Sequence, residues 1–414
     1  MLDLKIKKIN LEILVVVFIF LISCINSSGL YISMILSLLY LLHGKMGLVK
    51  LMFLYILRTN ISPGLFYDIS YIDLFQLGKW IVIFGGSLFL LINLKKPNKS
   101  ILIIYLAIYT VYLVSSSLIT TNNITLAIFK IVNYILPLFA FLLNIHVLKN
   151  KILIDWVFKV LQLAVLVSLP LYFTSLGFLR NGHGFQGIYN NPNMFGIILV
   201  LSYAMLITVK KSNKLIIPLT IIYLLLVIET ESRTSLISLL ILIVFYSLTV
   251  KVNKFFKLLI VTCLAISLVL VVTNFQKVIY EEILVKGDNK DVLGSRRGQI
   301  ENFQYAIQRH PALGNGFGVP IQKNSVILND STIVEAGNLF MAISMYSGIL
   351  GLVMILGLIL LWLKCLDKKF TLLFLSTLLI NMGEMVLFSS NSIGLWCSMF
   401  WIICLDNNFL EVRR

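Results

Sequence analysis

Apolar residues run almost unbroken along this 414-residue chain, interrupted at intervals by short polar turns. Runs of about 17–25 apolar residues mark helices that cross a bilayer. The pattern predicts spans near 11–27, 29–43, 46–58, 74–94, 100–119, 124–148, 152–176, 192–209, 214–230, 234–250, 255–273, 338–363, 370–388 and 390–405. The second and third are short and read either as two spans or as one re-entrant or broken element. That leaves about twelve to fourteen transmembrane helices. The runs lack the period-two alternation of an outer-membrane barrel. The expected fold class is therefore an all-α polytopic membrane protein. One long polar stretch, 274–337, does not fit in a bilayer. It divides the chain into a helix bundle at 1–273 with about eleven spans, a loop with short helices at 274–337, and a last part at 338–414 with three spans and a tail.

Composition agrees. The chain is 59% hydrophobic and 13% charged, with a mean hydropathy of +0.96, whereas a soluble domain carries about 25% charged residues. The five cysteines are scattered through apolar runs without metal-ligand or CxxC spacing. They support neither a zinc site nor a disulfide framework, and no cofactor is expected. Leu21 to Cys24 resembles a lipoprotein cleavage site, but in a chain this full of spans the expected reading is a first membrane helix that stays uncut.

The net charge of +16 changes the picture through its placement. Lysines and the final arginines fall on every second connection: Lys5, Lys7 and Lys8; Lys45 and Lys50; Lys95, Lys96 and Lys99; Lys149 and Lys151; Lys210, Lys211 and Lys214; Lys251, Lys254 and Lys257; Lys364, Lys368 and Lys369; Arg413 and Arg414. The alternate short connections hold only Arg58, Arg180 and Arg233. By the positive-inside rule both termini are cytoplasmic and the loop 274–337 is extracytoplasmic. Basic and acidic residues balance within that loop. Topology and anionic lipid headgroups account for the excess charge, and no nucleic-acid partner is expected.

The candidate chemistry lies in the arginine turns. Arg233 sits in Glu229-Thr230-Glu231-Ser232-Arg233 between two spans. It reads either as an arginine snorkelling to the interface, paired with a neighbouring glutamate, or as a bidentate phosphate ligand. Arg180 opens a turn that ends in Asn190-Asn191-Pro192-Asn193, which fits a capped helix start and also offers free amides to an anion. His183 in that turn is a candidate for proton transfer or an incidental loop residue. Within the long loop, Ile300, Phe303, Ala306 and Ile307 predict a helix between Arg297 and Pro311. Arg296 and Arg297 open it, against the helix dipole. A bound anion would offset this, as would an Arg297–Glu301 pair. Gly314, Gly316 and Gly318 follow as a flexible return turn or a phosphate cradle. Lys79, Lys130 and Glu384 are charges expected inside spans, in the outward halves of their helices. They are read either as paired or as contacting substrate. Glu335, Asp330, Glu231 and Glu384 are the candidate bases, and spacing does not choose among them.

Four stretches in order resemble the O-antigen polymerase and O-antigen ligase superfamily. They are GIYNNPNMFGIIL from Gly187, ESRTSLISLLI from Glu231, RRGQIENFQYAIQRHPALGNGFG from Arg296, and EAGNLFMAISMYSGILGL from Glu335. The resemblance covers about residues 180–355. It implies a GT-C-like glycosyltransferase of the bacterial inner membrane that takes a glycan from undecaprenyl diphosphate on the outer face, with no metal. It suggests that Arg180, Arg233 and Arg297 hold the diphosphate; beside them Arg296 is read as a further diphosphate ligand, and Arg297 and Glu335 as the catalytic residues. The implied partners are the undecaprenyl-diphosphate-linked glycan, membrane lipid and a chain-length regulator. Ligases of the family carry a histidine directly before the asparagine matching Asn338, where this chain has Gly337. That departure favours a polymerase of O-antigen or capsular repeat units over a ligase acting on lipid A-core. A lipid-linked oligosaccharide flippase would show two related halves, and none is evident. A non-catalytic assembly factor is a third reading.

Overall fold

The computed structural model describes residues 2–70, 72–93, 101–180, 182–210, 215–249, 297–321 and 336–406. Among these the fold is helical, with two isolated β-bridges and no strands. The chain opens with α1 (Leu2–Ser23). Asn26 then caps α2 (Ser27–Ser37), accepting the Gly29 N–H at 2.8 Å. A 3-10 turn, Leu38–His43, leads to Gly44. Gly44 has φ +61°, a region that glycine enters without steric cost, and there the chain doubles back into α3 (Gly44–Thr59). A straight helix over Ser27–Thr59 would be about 50 Å long at ~1.5 Å per residue. Instead the Arg58 guanidinium donates to Ser23 Oγ and the Ser23 carbonyl at 3.1 Å each. The two short spans of the sequence reading are therefore two antiparallel passes.

The chain continues through α4 (Asp73–Trp80), a π turn (Ile81–Gly85) and α5 (Gly86–Ile92). Next come α6 (Ile101–Thr120), α7 (Ile124–Leu143), the short α8 (Ile145–Leu148) and α9 (Lys151–Ser168). After these come α10 (Pro192–Val209), α11 (Ile216–Glu229) and α12 (Arg233–Thr249). The last helices are α13 (Arg297–Arg309), α14 (Leu339–Lys364), α15 (Thr371–Asn381) and α16 (Gly394–Ile403). Seven helical segments among the described residues are long and apolar enough to cross a membrane, with the doubled-back Ser27–Thr59 counted as one of them, and shorter apolar helices accompany them. The expected span at 255–273 lies outside the described residues.

Helix ends meet as the alternation of lysine-rich and lysine-poor connections predicts. At the lysine-rich end, Lys45 donates to Asn93 O at 2.6 Å and Asn144 Oδ1 at 2.8 Å. There Leu366 bridges Leu405, and Lys149 lies 3.8 Å from Asp367. At the other end, here the loop end, Ser62 N–H donates to Ile188 O at 2.9 Å and Asn190 N–H to Asn60 O at 3.1 Å. Between the two ends α10 is enclosed almost all round. Aromatic stacking fills the neighbouring core, with Phe53 on Trp396 at 4.2 Å. One lysine of the alternation is misread from sequence. Lys50 is fully buried, ion-paired with Glu12 of α1 and 5.3 Å from the Trp156 ring centre, so it ties α1 to α3 rather than facing water.

The apolar run of α14 hides a break. Gly348 has φ +66° and ψ −170°, and the segment after α13 is spliced into the gap. Asn315 and Gly316 donate their N–H groups to Met345 O and Tyr346 O at 3.0 and 3.1 Å, while Ile349 and Leu350 donate to Pro311 O and Ala312 O at 2.9 and 3.2 Å. Broken-helix backbone at membrane depth needs partners of this kind. A Cβ on Gly348 would lie 2.2 Å from Ala312 O, and one on Gly314 2.4 Å from Ser347 N. Asn315 Nδ2 adds bonds to Ala306 O at 2.9 Å and Met345 O at 3.2 Å, fastening the end of α13 to the break. Phe317 is buried against Tyr134, Tyr346 and Phe388.

Candidate functional site

At the loop end, four helix N-termini gather around one unwound turn. Asn381 closes α15: its Nδ2 donates to Thr377 O at 2.7 Å, and its Oδ1 accepts the N–H groups of Val386 and Leu387 at 3.0 and 2.8 Å. Residues 382–386 thus leave the helix. Glu384, expected inside a span, is carried into this turn instead. The cause is an asparagine that substitutes for helical backbone partners.

The surrounding contacts come from each helix start in turn. Asn193, in the first turn of α10, donates from Nδ2 to Glu384 Oε1 at 2.8 Å. Asn338, the cap of α14, donates to Met382 O at 2.8 Å and accepts the Phe340 N–H at 2.9 Å. Thr234, second residue of α12, is tight against Gly383, where a Cβ would lie 1.8 Å from its Oγ1. Gln299, in the first turn of α13, covers Gly337, where a Cβ would lie 2.6 Å from its Oε1. Helix starts carry unsatisfied N–H groups and the positive end of the macrodipole, so this convergence favours anions.

The Arg180 and Arg233 turns are joined. Phe185 N–H donates to Glu229 O at 2.7 Å, and His183 Nδ1 lies 3.3 Å from Glu231 Oε2. Glu231 takes φ +54°, which is unusual for a residue other than glycine. The Arg180 N–H donates to Gln186 Oε1 at 3.0 Å. Its guanidinium has no hydrogen bond or ion pair among the described residues. It lines a cavity of about 250 Å³ together with Asn191, Asn193 and Glu384. Asn191 caps α10, accepting the Met194 N–H at 2.7 Å.

Two of the candidate residues, Arg180 and Glu384, therefore share one cavity, and Arg233 stands half-buried on the helix start that backs onto Gly383. Arg297 opens α13 as expected. Its side chain, together with Arg296, Asp330 and Glu335, lies outside what is described. Lys79 and Lys130 do not line the cavity. Lys79 is buried with its ammonium 5.6 Å from the Trp80 ring centre, and Lys130 lays its stem along Gly318.

The glycine run is not a phosphate cradle. The N–H groups of Gly314, Asn315, Gly316 and Phe317 are committed to His310 O, Met345 O, Tyr346 O and Ser117 Oγ. Nor is it a flexible turn, because those bonds tie it to α14 and α6. The roles of Asn193, Asn338 and Gln299 were missed from sequence. The asparagines at 190–193 read there as a capped helix start, and of these Asn191 acts as the cap.

A family model described as O-Antigen ligase matches residues 218–356. The match runs from α11 through the break in α14. It takes in Arg233, Arg296, Arg297, Glu335 and Asn338, and leaves Arg180 and Glu384 outside. No curated protein matches the chain.

Proposed function

Because the chain belongs, through residues 218–356, to the O-antigen ligase and polymerase superfamily, we propose that it polymerises undecaprenyl-diphosphate-linked oligosaccharide repeat units. The reaction takes place on the extracytoplasmic face of a bacterial plasma membrane. The observation that carries this reading is the junction of the Arg180 and Arg233 turns beside four helix starts, at the end of the bundle opposite the lysines.

In this reading the acceptor sugar's hydroxyl oxygen attacks the anomeric carbon of the donor. The bond from that carbon to the diphosphate oxygen breaks, and its electron pair leaves on undecaprenyl diphosphate. Arg233, Arg296 and Arg297 stabilise the charge that develops there, with the helix starts adding fixed dipoles, while Arg180 on the joined turn faces the sugar next to the diphosphate. Such a clamp needs no metal. Glu335 takes the hydroxyl proton, and the demand on this base is small if the transition state resembles an oxocarbenium ion.

Polymerase is favoured over ligase by position 337. The family's ligases carry a histidine there. Here it is glycine, with the end of the Gln299 side chain against it. The ligase reading draws on the description of the matching family. Deletion followed by gel analysis of the cell's glycans separates the two. Accumulated single-repeat glycans support the polymerase. Full-length chains left on undecaprenyl diphosphate support the ligase.

A further inference from the structure

We propose that the cavity beside α10 is a subsite for a single sugar ring of the lipid-linked glycan, with Asn193 and Glu384 reading its hydroxyls. The inference rests on the function proposed above and adds which part of the substrate this cavity takes.

Size argues for one ring. The cavity holds about 250 Å³, below the roughly 300–1,000 Å³ of pockets that take drug-sized ligands. Charge argues for a ring rather than a phosphate. The lining carries one arginine and one glutamate and is neutral overall. A diphosphate placed there would face the Glu384 carboxylate as a like charge at short range.

The hydrogen-bonding groups match hydroxyls, each of which both donates and accepts. Asn191 uses Oδ1 to cap α10, which leaves its Nδ2 as a donor. Asn193 gives Nδ2 to Glu384 Oε1, which leaves its Oδ1 as an acceptor and holds the carboxylate in place before a ligand arrives. The Arg180 guanidinium supplies further donors. The rest of the wall includes Met194, Ile197 and Val386, an apolar surface for the C–H face of a pyranose.

The test uses the purified full-length chain in nanodiscs and saturation-transfer-difference NMR. The probe is the repeat-unit oligosaccharide released by mild acid from the polysaccharide of the same cells. One ring should take up most of the saturation, excess inorganic pyrophosphate should leave it unchanged, and Asn193→Ala should weaken binding roughly tenfold. Met194→Trp, which fills the cavity and keeps Asn191, Asn193 and Glu384, should abolish the ring signal.

Three results would each overturn the subsite: no saturation with the parent chain, displacement by pyrophosphate, or undiminished binding by Met194→Trp. The readout does not depend on turnover. A parent chain that binds the ring but builds no glycan ladder loses the polymerase reading and keeps the subsite. One that still elongates glycans with Met194→Trp in place keeps the polymerase reading and loses the subsite.

Discussion

Arg58 and Arg180 lie at the same end of the bundle, each a lone arginine in a lysine-poor connection, yet the molecule treats them in opposite ways. Arg58 is 5% exposed, and its guanidinium is tied to Ser23 Oγ, Ser23 O and Tyr67 O at 3.1, 3.1 and 2.7 Å. Arg180 is exposed, has no hydrogen bond or ion pair to its guanidinium among the described residues, and lines a cavity beside a carboxylate. An arginine that departs from the positive-inside pattern therefore has two distinct explanations. One is a planar fork that gathers buried carbonyls into a structural corner. The other is a fork left open to a ligand at a helix start. Sequence position alone does not separate them; the number of backbone acceptors within reach does.

The comparison can be sharpened by substitution. The largest effect should come from the arginines assigned to the diphosphate. Arg233→Ala and Arg297→Ala should each lower glycan elongation by about a thousandfold or more while the protein remains in the membrane, measured as ladder growth on gels. Lysine at either position should not restore it, because the bidentate geometry is lost.

Next comes the structural corner. Arg58→Ala strands buried carbonyls and should lower stability by about 3 kcal/mol. Thermal melting of the purified protein would show this, with elongation per folded molecule unchanged. Arg180→Ala should do the reverse. Melting should stay within about 0.5 kcal/mol of the parent, and elongation should fall roughly tenfold, the loss expected for one charge-assisted hydrogen bond. If Arg180→Ala melted early and Arg58→Ala stopped elongation without melting, the comparison would be inverted.

The smallest effect lies at the lysine-rich end. Burial holds the Lys149 ammonium below the usual lysine value, with Asp367 opposing the shift. The unfolded chain then binds the proton more tightly than the folded one, so stability rises as pH climbs from the folded value toward the ordinary lysine value. Lys149→Met should remove that alkaline gain in melting temperature.

Much of this architecture was legible in the sequence. The apolar runs gave the helices, and the lysine alternation gave which ends meet. The helix from Arg297 stops at Arg309, before Pro311, as its pattern indicates. What stayed hidden depended on partners distant in sequence. Lys50 looked like a loop lysine because Glu12 lies 38 residues away. The break at Gly348 looked like continuous helix because the groups that replace its missing bonds belong to residues 311–316. Glu384 is the exception: Asn381 lies only three positions before it, but an asparagine inside an apolar run does not announce that it will take over the backbone bonds of the turn. For the site, the Arg180 and Arg233 turns were visible as polar islands. Their junction, and the cavity shared by Arg180 and Glu384, arise only from the packing of α10, α12 and α15.

The central claim is that arginines at the loop end hold a lipid diphosphate while repeat units are joined. Its most direct test is the purified chain in proteoliposomes with undecaprenyl-diphosphate-linked repeat units as the only glycan. The account predicts a ladder of products, each one repeat longer than the last, with release of undecaprenyl diphosphate and loss of both in Arg233→Ala. An absent ladder, with glycan transferred once lipid A-core is added, would contradict it.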